Sequence, residues 1–99
     1  MPAFAPAFPG AEKGKLSAQD LLQVIRLDIA GELEAIYLYE AHARASDDKF
    51  ASKVFLDIAN EEKVHVGELL TLMNYLDPAN ADKLSEGNTE VNNLLGSKT

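Results

Sequence analysis

The stretch IANEEKVHVGELLTLMNYL, residues 58–76, decides how this chain folds. Ile58, Glu62, His65, Leu69, Leu72 and Leu76 recur at intervals of three and four, which is the spacing of one face of an α-helix. Such a face is normally buried. A carboxylate and an imidazole in its middle are costly to bury unless something compensates them. Asp77-Pro78 closes the stretch, because proline lacks an amide hydrogen and disfavours the helical conformation in the residue before it. Upstream, Ser46-Asp47-Asp48 is a short polar break with an acid placed to cap the helix that follows, so the pattern predicts a helix from about Lys49 to Leu76.

A second helix is predicted before that break. Ser17-Ala18-Gln19-Asp20 has the form of a helix start, with Ser17 as N-cap and Asp20 reaching back. From there to about Ala45 only Gly31 interrupts, at a cost of ~1 kcal/mol. Leu21, Leu22, Ile25, Ile29, Leu33, Ile36 and Tyr37 form its apolar face. Two long helices joined by a few polar residues make an antiparallel αα-hairpin. The expected division is a flexible N-terminal arm over 1–16, the hairpin over 17–77, and a C-terminal segment and tail over 78–99. In that last part Ala79 to Leu84 reads as a short helix, Ser85-Glu86-Gly87-Asn88 as a turn, and Thr89 to Leu95 as one or two further turns. The arm carries Pro2, Pro6, Pro9, Gly10 and Gly14, with Phe4 and Phe8 as potential anchors on a partner.

A chain of 99 residues holds one small domain at most. Its formal charge of -7 argues against a nucleic-acid partner, and an acidic surface suits cations. The absence of cysteine excludes disulfides, iron–sulfur clusters and Cys-type zinc sites. No apolar run approaches the roughly 20 residues that cross a bilayer, and the N-terminal segment makes a poor signal peptide, so no membrane partner and a cytoplasmic location are expected.

Glu62-x-x-His65 is the ligand pair of carboxylate-bridged di-iron bundles, which need two such pairs and two further Glu residues. The first helix offers Asp28, Glu32, Glu34 and Glu40, and Glu32 is the acid most enclosed by apolar neighbours. Glu32, Glu62 and His65 together are half of a di-iron ligand set, thirty residues apart as two antiparallel helices crossing at mid-length require. An uncovered hairpin also needs a second layer. Ligand count and hydrophobic pattern both predict self-association into a four-helix bundle. Tyr39 would lie near the seam, as a hydrogen-bond partner of a ligand or as a core aromatic. His42 reads as a surface or helix-end residue, Glu61 and Glu68 as solvent-facing. The competing readings are a buried His–Glu pair that sets oligomer register without catalysis, and a zinc or manganese site without turnover.

Gly31-Glu32-Leu33-Glu34-Ala35-Ile36-Tyr37-Leu38-Tyr39 followed by Asn60-Glu61-Glu62-Lys63-Val64-His65 resembles the encapsulated ferritins, ferritin-like proteins associated with encapsulin nanocompartments, and in particular the archaeal type fused to the shell protein. The resemblance covers Leu16 to Asp77. It implies an all-α fold, a half-ferritin hairpin with a short C-terminal helix, that dimerises into a ferritin-like four-helix bundle and assembles as a decameric ring. It implies a ferroxidase using O2 at a di-iron centre between subunits, with Glu32, Glu62 and His65 as ligands, Glu62 bridging, and Tyr39 beside the centre. It implies an encapsulin shell as partner and its interior as location. Outer acidic sites would take Ca²⁺ or other divalent ions. Better-known bacterial members have an acid where this chain has Gly31 and a Trp where it has Leu38; that acid joins Glu34 in an outer site on the route inward, so the departure bears on Glu34. The last residues, Leu94-Leu95-Gly96-Ser97-Lys98-Thr99, partly match the family's targeting tail, whether as a degenerate tail or as the join to a longer fusion. A rubrerythrin-like peroxidase is the runner-up enzyme, against which a single hairpin and the missing cysteines count.

Overall fold

The structure, a computed structural model, describes residues 14–96. The arm's Phe4 and Phe8 and the final three residues lie outside the described residues. Three helices follow in order: α1 over Ala18–Ala45, α2 over Lys49–Leu76 and α3 over Pro78–Gly96.

Each boundary has a local cause. Ser17 Oγ accepts the amide hydrogen of Asp20 at 3.1 Å, satisfying one of the donors that every helix start leaves open. Asp48 does this twice: its Oδ1 accepts from the amides of Phe50 and Ala51, both at 2.9 Å. Ser46 folds the connection by exchanging hydrogen bonds with the Asp48 backbone. Ser52 Oγ then donates to the Ala43 carbonyl at 2.8 Å, clasping the start of α2 to the end of α1. The resulting antiparallel register sets Glu62 and His65 of α2 against Glu32 of α1.

Asp77 serves two helices. Its amide donates to the Met73 carbonyl and ends α2, while its own carbonyl accepts from Asn80 and Ala81 to begin α3. Pro78 occupies the first position of α3, where a missing amide hydrogen costs nothing. Asn80 Nδ2 donates to Asn74 Oδ1 at 3.2 Å across the elbow.

The turn expected at Ser85-Glu86-Gly87-Asn88 is absent, and α3 runs through it as one helix. A glycine supports a turn chiefly by adopting positive φ. Among the described residues only Gly14 does so, at φ 130°. Gly87 remains helical at the modest cost of ~1 kcal/mol.

Ile25, Ala43, Ala59 and Met73 are the buried apolar residues among those described. They mark the seam between α1 and α2. Leu33 and Tyr37 of the α1 face are 53% and 67% exposed, and Leu72 and Leu76 of the α2 stripe are exposed as well. The stripe expected to be buried is therefore only partly covered by its own chain. A Cα radius of gyration of 17.3 Å exceeds the ~13 Å of a compact domain of this length. Among the described residues no helix is long and apolar enough to cross a membrane.

Candidate metal centre

Glu32 stands midway along α1, and Glu62 and His65 stand one turn apart on α2. The hairpin register brings one ligating atom from each to within 4.8 Å of the others. His65 Nδ1 lies 3.5 Å from Glu32 Oε2 and 3.8 Å from Glu62 Oε1. These separations are too long for well-formed hydrogen bonds. They approach the ~3–3.5 Å between ligands that share one ion at bond lengths of ~2.1 Å.

Burial grades across the group. The Glu62 side chain is 19% exposed, Glu32 24% and His65 47%. Within Glu32 the two oxygens differ: Oε2 is shielded from solvent and accepts no hydrogen bond. A buried carboxylate oxygen without a donor is unfavourable. A cation held between the three side chains would satisfy it. Two carboxylates and an imidazole suit iron, manganese or zinc, so the residues fit such an ion.

The three side chains line a cavity of about 400 Å³ together with Asp28, Gly31, Ala35 and Leu69. Asp28 is the lining acid left out of the ligand set read from the sequence. Its i−4 relation to Glu32 was the available signal, and its exposure sets it apart from the inner carboxylates.

The remaining predicted residues lie elsewhere. Tyr39 does not line this cavity; its ring stacks on Phe55 at 6.2 Å between centroids, with His42 edge-on to both. Phe55 was not singled out in the sequence, because its meeting with Tyr39 depends on register between helices. Glu34 is exposed and lines a separate cavity of about 140 Å³ with Gly31, Ala35, Leu38, Tyr39 and His42, a lining that includes no second acid. His42 is exposed, as are Glu61 and Glu68. Glu40 pairs with Lys63 at 2.9 Å on the outside of the hairpin.

Residues 23–94 match the rubrerythrin family model. The chain is 46% identical over 78 residues to the ferritin-like–encapsulin shell fusion protein of Pyrococcus furiosus, covering 79% of this chain and 23% of that protein. It is 36% identical over 72 residues to the encapsulin nanocompartment cargo protein EncC of Myxococcus xanthus, covering 73% of this chain and 55% of the relative. With the cargo protein EncB of the same organism it shares 42% over 62 residues, 63% of this chain and 39% of the relative. The chain thus spans between 23% and 55% of the length of these curated relatives. The crystal structure of the encapsulated ferritin domain from Pyrococcus furiosus superposes with a TM-score of 0.80 at 38% identity, covering 97% of this chain and 93% of that one.

Proposed function

The chain belongs to the rubrerythrin family, as a ferritin-like domain of the encapsulated type, and from that premise we propose that it is a ferroxidase, oxidising Fe²⁺ to Fe³⁺ with O2 at a centre completed by a second copy of itself. The observation that carries the proposal is the convergence of Glu32, Glu62 and His65 around a shielded Glu32 oxygen that no protein donor satisfies.

One chain supplies two carboxylates and one imidazole. Two chains supply four and two, which is the ligand set of a di-iron bundle. Glu62, the least exposed of the three side chains, is assigned the bridging role, and Glu32 and His65 would complete the coordination. Hard carboxylate oxygens favour ferric over ferrous iron, which lowers the potential and makes oxygen a competent oxidant. Each iron yields one electron, so a pair passes two to dioxygen. Tyr39 takes part as a neighbour one layer away, in the aromatic cluster with Phe55. Glu34 is assigned to the route inward.

The proposed setting follows from the relatives. One is a fusion to an encapsulin shell and two are encapsulin cargo proteins. We assign this chain the same partner: it oxidises iron inside a shell that retains the mineral, as a ring of dimers with no closed cavity of its own.

A metal-independent His–Glu pair that merely sets register fits less well. It would require short hydrogen bonds, and the His65 contacts are 3.5 and 3.8 Å. Native mass spectrometry after anaerobic Fe²⁺ addition tests the site. Two irons per pair of chains are expected, and none in Glu62→Ala with its helical spectrum intact. Iron binding and oxidation at unaltered levels in that variant would refute the assignment. Oxygen consumption on Fe²⁺ addition separates a ferroxidase from a redox-inert metal site.

A further inference from the structure

Leu84, Val91 and Leu95 recur along α3 at intervals of seven and four, the spacing of a single helix face. They are 45%, 56% and 56% exposed, and α3 contributes no buried residue. It touches α2 at the elbow and makes no contact with α1. Asp82, Glu86 and Glu90 fall on its other side. An apolar stripe left open in this way needs a second layer. The face that the proposed centre leaves to a second copy lies elsewhere, at Leu72 and Leu76 of α2.

The N-terminal arm has a matching pattern. Pro2, Phe4, Pro6 and Phe8 alternate with Ala3, Ala5 and Ala7. Prolines at this spacing oppose a helix and favour extended backbone in the residues before them. In an extended chain alternate residues share one side, so the bulky rings fall together and the alanines opposite. We infer that residues 2–8 lie extended along α3 of their own chain and cover the apolar row, with Phe8 against Leu84 and Phe4 between Val91 and Leu95.

The lengths fit. Helices α1 and α2 have 28 residues each and run antiparallel, so α1 starts at the end of the hairpin where α2 stops and α3 departs. Phe8 precedes Gly14 by six residues, a reach of about 20 Å, and Leu84 is only about 10 Å along α3 from Pro78. An extended chain separates Phe4 from Phe8 by about 13 Å; along the helix axis Leu84 is about 10 Å from Val91 and about 16 Å from Leu95. Charge agrees as well: Lys13 and Lys15 flank the root of the arm with Glu12, while α3 carries three acids against Lys83. Asn88, inside the row, has an amide that can meet the unpaired backbone groups of an extended segment, which an internally bonded second helix does not offer. Proline's fixed angle lowers the ordering entropy that docking costs. The docked arm ties α3 to α1, two elements that otherwise do not touch.

The chain has no cysteine, so introduced pairs report without background. Full-length Phe8→Cys/Leu84→Cys, Phe8→Cys/Tyr75→Cys and Leu84→Cys alone are oxidised under identical conditions and resolved on non-reducing gels. Tyr75, exposed in the last turn of α2, is the control near the root of the arm. The first variant should form a disulfide within one chain roughly tenfold faster than the control, because docking raises the local thiol concentration. Hydrogen exchange supplies the second readout. Phe4→Ser/Phe8→Ser should exchange about tenfold faster than wild type over 84–95, with the amides of α1 and α2 unchanged. Equal disulfide rates in the two pairs, or unchanged exchange in α3, would overturn the inference. A disulfide between chains in Leu84→Cys alone would also overturn it, by placing α3 of a second copy on the row. One between chains only in Phe8→Cys/Leu84→Cys would do so too, by giving the row to a second copy's arm.

Discussion

Replacing Glu32 by Leu should stabilise the metal-free chain while abolishing metal binding. Oε2 of Glu32 is buried without a hydrogen-bond partner. Leaving such an acceptor unpaired costs about 1–3 kcal/mol, and more when it carries charge. The side chain as a whole is 24% exposed, so water still reaches its other oxygen, and the lower end of that range applies. Leucine removes the penalty and adds apolar surface next to Leu69, which lines the same cavity. The expected gain is ~1 kcal/mol. With a urea slope of roughly 1–2 kcal/mol/M for a chain this small, the midpoint should rise by about 0.5–1 M. Urea unfolding in excess EDTA, at one fixed chain concentration because self-association would otherwise shift the midpoint, measures this directly. Adding Zn²⁺ should then raise the wild-type midpoint and leave the Leu variant unmoved. A Leu variant less stable than wild type in EDTA would mean that the carboxylate is already satisfied without metal. The case for strain stored at a binding site would then collapse.

Two further outcomes test the hairpin rather than the site. Asp48→Ala removes both hydrogen bonds at the start of α2, each 2.9 Å long, and should cost about 1–2 kcal/mol in urea unfolding; a loss below a few tenths would show that water caps the helix equally well. Lys63→Met breaks the ion pair with Glu40, yet the lysine is half exposed and the glutamate about a third, so solvent screens the pair and stability should change by no more than about 0.5 kcal/mol. A loss several times larger would give that pair a part in holding the register.

Where α1 and α2 begin and end was legible because the causes are local. Ser17 and Asp48 cap the residues that follow them, and Asp77-Pro78 can only end one helix and start another. The C-terminal turn was misread for the complementary reason. Ser85-Glu86-Gly87-Asn88 has turn composition, but no neighbouring element holds Gly87 in a positive-φ conformation, and the helix already started at Pro78 continues. The triad was legible because polar groups in an apolar stripe need a common explanation. Its surroundings were not. That Asp28 lines the cavity and Tyr39 stacks on Phe55 depends on how α1 and α2 face each other, which i, i+4 spacing within one helix does not encode.

The apolar stripe and the ligand set are unfinished in the same place. Leu69 closes one side of the cavity, and Leu72 and Leu76, the next members of its stripe, are exposed. Anything that covered them would sit beside the imidazole of His65, which is itself half uncovered. A generic hydrophobic partner would bury the leucines and strand His65 and both carboxylates without water or counter-charge, at a cost that could outweigh the burial. A second copy brings the same leucines and the same three ligands through a two-fold axis, since a self-complementary interface presents identical patches from both sides. It answers the apolar and the polar deficits together, but only with metal between the facing carboxylates; without it, four negative charges would oppose one another. Metal binding and pairing are therefore thermodynamically linked in the proposed centre: the ion strengthens the dimer by the same factor by which the dimer strengthens its hold on the ion.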